Sequence, residues 1–334
     1  MDTKPASKDS MRSTWRTADR SEWTHQHWAL ELLNAHPIEL GKEVPVHAKE
    51  EKIPFMPQWS LQRWVLFYSA IPLLLHQAYM TYTGRTLGPI ATFNFYFFAF
   101  NATVIYQMAT NTSVMGSPDV GVGKVVTSLY KTTGSRLVMA VYLTYNRDQL
   151  PSQMNWLWLP LMIGLYGIVL DFWFYWYHRL MHDVSFLWKF HRTHHLTKHP
   201  NPLLAAYADH EQEFFDMVGV PFMTYASLRL MGLPMGFYEW WICHQYVAFA
   251  EVFGHSGLRM HLTVPSTLSW LLQIFNCDIV IEDHDLHHRK GWRKSHNYGK
   301  QTRLWDQIFG TTTDRIESAA DNVDYNNVAR MPLF

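Results

Sequence analysis

Residues 156–182 read WLWLPLMIGLYGIVLDFWFYWYHRLMH. The apolar part, Trp156–Tyr177, contains one charge, Asp171, and has about the length, roughly 20 residues, with which a helix crosses a bilayer. His178 and His182 follow at a spacing of four, which would place both imidazoles on one face of a helix. The stretch therefore predicts a membrane-spanning helix followed by a pair of metal-binding side chains. A buried helix of a large soluble protein is the alternative.

Two further histidine motifs follow this first box (178–182). The second box, HRTHH at 191–195, and the third box, HDLHH at 284–288, share the spacing H-x-x-H-H. Since positions i, i+3 and i+4 share a helix face, each should point three imidazoles the same way. Together the boxes exceed the need of one tetrahedral zinc ion and suit two metals with open coordination positions. Their histidines are His178, His182, His191, His194, His195, His284, His287 and His288.

The composition argues against a nucleic-acid-binding protein, a disulfide-rich protein and a zinc ribbon. The chain has 28 basic and 28 acidic residues, so it lacks the basic excess of a nucleic-acid-binding protein. Its two cysteines, Cys243 and Cys277, cannot form a disulfide framework and lack a zinc-ribbon spacing. Aromatic residues make up 16%, which is typical of chains that sit at a membrane interface.

Polarity divides the chain into four regions. We expect a polar cytosolic segment at 1–58 and a transmembrane region at 59–177. A histidine-box catalytic region with further membrane-associated helices would occupy 178–312, and a polar, mobile tail would occupy 313–334. The predicted fold class is all-α: a multi-span membrane helical bundle whose cytosolic, histidine-rich helical cap holds a di-metal centre.

Further apolar runs support this division. Leu61–Met80 and Pro89–Ala109 approach spanning length, whereas Phe214–Leu233, Phe237–Phe253 and Val264–Ile281 contain more polar residues. The last three could span, re-enter or lie on the membrane, or be buried helices of a soluble protein. Lys and Arg are frequent around the boxes, which favours the cytosolic side of the membrane for all three.

The motifs, in this order, resemble the fatty acid hydroxylase superfamily, which includes sterol desaturases, sterol C4-methyl oxidases and fatty acyl and sphingolipid hydroxylases. DFWFYWYHR at 171–179 resembles its D-x-x-x-Y-W-x-H-R lead-in, and FGHSG at 253–257 resembles its isolated H-S-G. NYG at 297–299 and LWDQIFGT at 304–311 resemble the words after its last box. The resemblance covers roughly 155–312.

The resemblance implies two iron ions per chain, held by the histidines of the three boxes and by His255. Glu251 stands where some members have another histidine, and is either a ligand or a partner of a ligand. His210 falls where the family often has a histidine followed by proline. The proline is missing here, which puts a ligand role of His210 in doubt.

The implied activity is that of a membrane-bound non-haem di-iron oxygenase, which uses O2 to hydroxylate an unactivated C–H bond of a lipid or lipid-like metabolite. Imidazole suits iron, zinc and copper, so the resemblance rather than the spacing selects iron. No nicotinamide, flavin or fused cytochrome b5 motif is found in the sequence. The family therefore implies external electrons from cytochrome b5 and its NADH reductase, and a location in the endoplasmic reticulum.

Carboxylates near the boxes are candidates to orient the imidazoles through their second ring nitrogen. These are Asp171, Glu213, Glu282, Asp283 and Asp285, for which a solvated turn is the plain alternative. Asp171 differs, because a carboxylate inside an apolar span is costly and usually functional. Asp171 and Glu251 are therefore the candidate catalytic residues.

Several alternatives remain open at this stage. The same scaffold could act as a desaturase or methyl oxidase on a sterol-like ring. A non-enzymatic metal-binding or metal-transporting protein fits less well, because transporters place ligands at bilayer mid-depth. A haem protein would leave the double H-x-x-H-H unexplained. A substrate entering from the bilayer could pass Trp240, Trp241, Trp270 and Phe275, although such aromatic residues are more often lipid-facing or core packing.

Overall fold

The computed structural model describes residues 15–32, 47–48, 51–110, 122–196, 200, 202–290 and 292–333. Much of the predicted N-terminal segment therefore lies outside the described residues. The described part is mostly helical, which confirms the helical part of the predicted fold class. The helices are α1 (His25–Leu32), α2 (Gln58–Thr83), α3 (Pro89–Thr110), α4 (Val122–Thr144), α5 (Leu159–Asp183), α6 (Ser185–His191), α7 (His210–Phe214), α8 (Val220–Leu230), α9 (Phe237–Gly254), α10 (Ser269–Ile274), α11 (Ile281–Lys290) and α12 (Leu304–Ile308). Two short strands, β1 (Ile53–Phe55) and β2 (Val323–Val328), pair in parallel.

Helices α2, α3, α5 and α9 form where the apolar runs predict them. Helix α2 ends at Gly84, whose φ of 63° is the left-handed conformation that favours glycine at a helix end. The segment 214–233 is less regular, because a π-helical turn at Phe215–Gly219 joins α7 to α8. The predicted run at 264–281 contains only the short α10 as a helix.

Helix α4 lies outside the long apolar runs that predict the other long helices. Its buried side chains include Val122, Val125, Val126 and Leu129, which follow the i, i+3, i+4 pattern of an amphipathic helix. Lysines and threonines interrupt the run without breaking that pattern. The period, rather than the length of the run, is the signal that predicts this helix.

Helix α9 lies at the centre of the molecule and contacts α2, α3, α4 and α5. Nearly all of its residues are buried. The Trp241 indole donates to the Ser69 carbonyl of α2 at 3.0 Å, and the Gln107 amide of α3 donates to the Phe249 carbonyl at 3.0 Å. These bonds anchor the central helix to its neighbours inside the core.

One helix among the described residues, α5, is long and apolar enough to cross a membrane. Half of its most apolar window is buried within the protein itself. The helical architecture is thus observed, whereas a bundle with several membrane spans stays a prediction.

The C-terminal tail is docked onto the protein, so the predicted mobility of 313–334 is wrong for its described residues. Strand β2 pairs with β1 near the start of the chain. The Met331 N–H donates to the Ser60 hydroxyl at 2.8 Å, and the Tyr68 hydroxyl donates to the Leu333 carbonyl at 2.6 Å. Polar composition suggested mobility, but these polar groups find partners on the β1–α2 segment.

Candidate metal centre

Nine buried histidines form two adjacent groups in which the nitrogens facing each other all lie within 4.8 Å. Both groups combine residues from different boxes. Each therefore offers enough imidazole nitrogens to hold a metal ion. Cluster A contains His178, His182, His191, His195 and His287, and cluster B contains His194, His255, His284 and His288.

The second box does not point its three imidazoles the same way, which corrects the sequence-based expectation. Helix α6 ends at His191, and His194 and His195 lie in a separate 3-10 turn. His191 and His195 enter cluster A, whereas His194 enters cluster B. Because the α-helix ends between His191 and His194, this short segment contributes imidazoles to both clusters.

The third box lies within α11, as predicted, yet it also divides between the clusters. His284 and His288, one helical turn apart, face cluster B. His287 lies between them in the sequence and faces cluster A. Helix α11 therefore lies along the boundary of the two clusters and contributes to both.

Backbone carbonyls, rather than carboxylates, orient three of the five imidazoles of cluster A. The acceptor of His178 Nδ1 is the Tyr298 carbonyl at 2.8 Å, and that of His182 Nδ1 is the Trp292 carbonyl at 2.7 Å. His287 Nδ1 donates to the carbonyl of residue 296 at 2.7 Å. Since a carbonyl only accepts, each Nδ1 carries the proton and each Nε2 of the neutral ring presents a lone pair.

These lone pairs meet at the centre of cluster A. The Nε2 atom of His191 lies 3.0 Å from that of His178 and 3.0 Å from that of His195. His287 Nε2 lies 3.0 Å from His195 Nε2, and His182 Nε2 is buried without a hydrogen-bond partner in the described part of the chain. The lone pair of His182 thus has no donor among the described residues, and a cation at the centre of the cluster would satisfy it. The donor set therefore fits a metal ion.

Cluster B has the same character. His255 Nδ1 donates to the Glu251 carbonyl at 2.7 Å, which leaves its Nε2 lone pair 3.2 Å from His194 Nε2 and 3.0 Å from His284 Nε2. Both ring nitrogens of His288 are buried and lack a hydrogen-bond partner among the described residues. A buried imidazole without a partner is costly, and a bound metal would satisfy it.

Burial keeps these imidazoles neutral. Burial lowers the pKa of His194 to about 3, with the neighbouring His255 contributing in the same direction. The pKa values of His195, His284 and His288 are also lowered well below the usual range, first by burial and then by nearby histidines. At neutral pH the clusters therefore present unprotonated nitrogens, the form that binds metals.

Asp171 lies in α5, fully buried, but it does not contact an imidazole. Its Oδ1 accepts from the backbone N–H groups of Lys300 (2.7 Å) and Gln301 (3.1 Å). Its Oδ2 accepts from the backbone N–H and the hydroxyl of Thr302, at 3.1 and 2.9 Å. The carboxylate expected to orient a histidine therefore holds the 300–302 loop, directly after the segment whose carbonyls orient cluster A.

The acids of the third box also hold the chain rather than the imidazoles. Glu282 accepts from three successive backbone N–H groups of the tail, at residues 316–318. Asp283 forms an ion pair with Arg315 at 2.7 Å. Asp285 lies 3.7 Å from Arg289, and Glu213 accepts from the Ser128 hydroxyl. The predicted carboxylate–imidazole contacts are thus replaced by contacts that fix α11 and its surroundings.

Glu251 lies beside cluster B, in contact with two different partners. Its Oε1 is 3.7 Å from His255 Nδ1, and its Oε2 is 3.3 Å from Lys300 Nζ. Lys300 also pairs with Asp216 at 2.8 Å, so one buried cation bridges two carboxylates. Sequence reasoning missed Lys300 and Asp216, because nothing in their local sequence indicates that residues so far apart meet.

His210 lies outside both clusters. Its side chain is 56% exposed and faces Glu213 at 3.6 Å. This position agrees with the sequence, in which the missing proline after His210 puts its role as a ligand in doubt. His244 is buried between Trp240 and Phe100, stacked on both rings, and is also outside the clusters.

A largely apolar pocket reaches both clusters. Its volume, measured as the space open to the centre of a water-sized sphere, is about 60 Å³. Its lining includes His178 and His191 of cluster A, His194 and His284 of cluster B, and the hydrophobic Phe100, Val104, Met108, Leu129 and Val247. The aromatic residues predicted to line a channel do not line this pocket: Trp240 and Trp241 are buried in the core, and Trp270 and Phe275 are exposed.

The comparison with known proteins agrees with this arrangement. A family model described as fatty acid hydroxylase matches residues 163–311, a range that contains all three boxes and His255. The "Fatty acid hydroxylase vlmA" of Lecanicillium sp is 42% identical over 308 residues, which cover 84% of this chain and 84% of the relative. The chain belongs to the fatty acid hydroxylase family. This confirms the family resemblance read from the motifs and identifies the protein as an oxidoreductase enzyme.

More distant relatives match part of the chain. The human "Alkylglycerol monooxygenase" is 26% identical over 177 residues, which cover 51% of this chain and 34% of the relative. The "Methylsterol monooxygenase 2-2" of Arabidopsis thaliana is 28% identical over 172 residues, covering 51% of this chain and 60% of the relative. The chain thus spans about a third and three fifths of the lengths of these two relatives. No solved structure matches the chain significantly.

Proposed function

We propose that this protein is a membrane-bound non-haem di-iron oxygenase that hydroxylates an unactivated C–H bond of a lipid or lipid-like metabolite. The observation that carries the proposal is the contact of one apolar pocket with both histidine clusters. A hydrophobic molecule in that pocket would lie beside both metals at once. The family membership favours iron over the other metals that imidazole binds.

Two iron ions, held by clusters A and B, would supply the reduction of O2 and the oxidation of the C–H bond. The residues of this chain orient the metal ligands and stabilise the buried charges around them. The carbonyls of Trp292, His296 and Tyr298 fix the ring orientation of three cluster A ligands, which is the usual task of groups just outside a metal site. Glu251 sits between cluster B and Lys300, where its carboxylate stabilises the buried ammonium.

The pocket wall excludes water and aligns the substrate. Phe100, Val104 and Met108 lie along one side of α3 at spacings of four, and α4 adds Leu129. Such a surface favours an alkyl chain or a ring system over a polar metabolite. The names of the relatives, among them a fatty acid hydroxylase and an alkylglycerol monooxygenase, support a lipid substrate.

A membrane location is part of the proposal. Besides α5, helices α2 and α3 expose large apolar side chains, including Leu74 (66% exposed), Leu75 (57%), Ile90 (79%) and Phe98 (70%). Apolar surface of this kind marks contact with a membrane or a partner. We propose a multi-pass protein of the endoplasmic reticulum with its boxes toward the cytosol, reduced by cytochrome b5 and its NADH reductase.

Metal analysis of detergent-purified protein tests the metal part, and a product screen tests the chemistry. Iron near two per chain without a haem absorption band, followed by O2- and electron-dependent hydroxylation of a lipid, is the expected result. Desaturation or methyl oxidation of a sterol would assign the alternative reaction to the same centre. Failure to bind any metal under reducing, iron-replete conditions would overturn the proposal.

A further inference from the structure

Arg136 of α4 is a buried cation that lines the same pocket. Its side chain is 6% exposed, and its guanidinium carbon lies 5.2 Å from the centroid of the Phe100 ring. Its Nε donates to the Thr132 carbonyl at 3.3 Å. Within the described part of the chain, the terminal nitrogens of Arg136 have neither a hydrogen-bond partner nor an ion-pair partner within 4.0 Å. Since a guanidinium has five N–H donors, most of its binding capacity is unused.

The carboxylates that line this pocket are already engaged elsewhere. Asp216 and Glu251 share Lys300, at 2.8 and 3.3 Å, and Glu213 accepts from the hydroxyl of Ser128. All three attract the Arg136 guanidinium at longer range, but none of them lies within 4.0 Å of it. A buried charge without a paired counter-charge is costly unless a ligand supplies one. The terminal nitrogens of Arg136 are thus available to an anionic group in the pocket.

The polar and apolar parts of the pocket match an amphipathic ligand. Arg136 lies one turn from Thr132 and two turns from Ser128, which form a polar stripe on α4. The hydrophobic wall begins beside this stripe, at Phe100 and Leu129. A guanidinium binds a carboxylate through two parallel hydrogen bonds, which orients the bound group as well as holding it.

We propose that Arg136 binds the carboxylate of an acyl substrate whose alkyl chain lies along the apolar wall of the pocket. This inference rests on the proposed oxygenase function and names the substrate class and its anchor. The anchor fixes the substrate by its acid end. The oxidised carbon is therefore counted from the carboxylate, at the same position in acids of different chain length.

The test compares ligands that differ only at the head group. Binding of a saturated fatty acid, the primary alcohol and the methyl ester of the same length is measured by calorimetry on the iron-loaded, detergent-solubilised protein. We expect the acid to bind about tenfold or more tightly than the alcohol or the ester. The variant R136Q should lose this preference while binding the alcohol as the unmodified protein does. R147Q, at an exposed arginine, is the matched control and should keep it.

Equal binding of acid and alcohol by the unmodified protein overturns the inference, as does an unchanged preference in R136Q. Iron content and thermal midpoint of R136Q verify that it folds. If R136Q does not fold, R136K replaces it in the test, because lysine keeps the charge but lacks the planar guanidinium. R136K should show a reduced preference for the acid, and an unchanged preference would contradict the role of Arg136 as the anchor. Because binding needs no turnover, an Arg136-dependent preference without hydroxylation would refute the oxygenase function and leave the anchor standing.

Discussion

His194 and His195 are neighbours in the chain, but their imidazoles belong to different clusters. His194 Nε2 lies 3.2 Å from His255 Nε2 in cluster B, whereas His195 Nε2 lies 3.0 Å from His191 Nε2 in cluster A. Their rings are nearly perpendicular, at 87°. One peptide bond therefore links the two proposed metal sites, and the same division recurs between His287 and His288. Neighbouring histidines should consequently affect different metals when they are replaced.

Replacing one histidine of the third box should remove one metal rather than both. We expect His287→Ala to weaken iron binding at cluster A, where four imidazoles remain, and His288→Ala to weaken it more strongly at cluster B, where three remain, so each lowers iron from roughly two toward roughly one per chain. Elemental analysis of the purified variants measures this. His210→Ala, at an exposed histidine outside both clusters, is the control and should keep full iron content. Complete iron retention by either third-box variant would contradict its assignment to a cluster.

Asp171→Asn tests whether this residue is catalytic or structural. An asparagine keeps one oxygen for Lys300 and Gln301, but its amide NH2 would face the N–H and hydroxyl donors of Thr302. We expect the free energy of unfolding to fall by about 1–3 kcal/mol, the cost of a buried donor left without an acceptor. Chemical denaturation of the detergent-solubilised variant measures the change.

Thr302→Val is the matched variant, because it keeps the backbone N–H bond to Asp171 and removes only the hydroxyl, which donates to Asp171 and accepts from the Leu304 N–H at 3.3 Å. It should cost less than Asp171→Asn. A D171N variant with unchanged stability and iron content but no turnover would assign Asp171 a catalytic role instead of the loop-holding role described above.

Lys300→Met should be strongly destabilising. Its ammonium lies between Asp216 and Glu251, and all three side chains are largely buried. Removing the cation leaves two carboxylates near each other with no shared counter-charge, which typically costs about 3–5 kcal/mol. Lys294→Met, at an exposed lysine of the same segment, should change stability by less than about 0.5 kcal/mol. Comparable unfolding midpoints for the two variants would show that the bridge is energetically unimportant.

The sequence predicts the membership of the metal centre better than its arrangement. Eight of the nine histidines stand out because imidazoles at helical spacing are a local signal, whereas the isolated His255 is indicated only by the family resemblance. Their division between two clusters depends on where α6 ends, at His191, and on the path of the chain afterwards. The carbonyls of Trp292 and Tyr298, which orient two imidazoles, belong to the backbone and have no signature in the side chains.

Long-range ion pairs explain most of what the sequence did not predict about the fold. The tail is held partly by Arg315, which pairs with Asp283 across 32 positions of the chain. Lys300 and Asp216 are separated by 84 positions. Neither spacing matches a helix or strand period, so such pairs appear only once the helices are packed. Helix α4, in contrast, follows an ordinary helical period, which the length of its apolar runs does not indicate.

The stability of the metal-free protein should fall in mild acid. The folded pKa of His194 is about 3, whereas an exposed histidine has a pKa near roughly 6.5. Between these values the unfolded chain binds a proton that the folded protein does not, so stability rises with pH and falls as the pH drops below about 6.5. Each such histidine contributes about 1.4 kcal/mol per pH unit in this window. Several cluster histidines share this direction, so the total slope should exceed that of one group.

Unfolding of the chelator-treated protein between about pH 7 and pH 5 measures this slope. His194→Gln removes one group that binds a proton in the unfolded chain but not in the folded protein. It should therefore lower the slope of the free energy of unfolding against pH by the contribution of about one proton. A stability independent of pH across this range would mean that the cluster histidines are hydrated and open to protons in the metal-free state. Because the pKa of His194 in the folded protein is about 3, protons do not compete with metal for its lone pair across this range, so iron loss there would report unfolding.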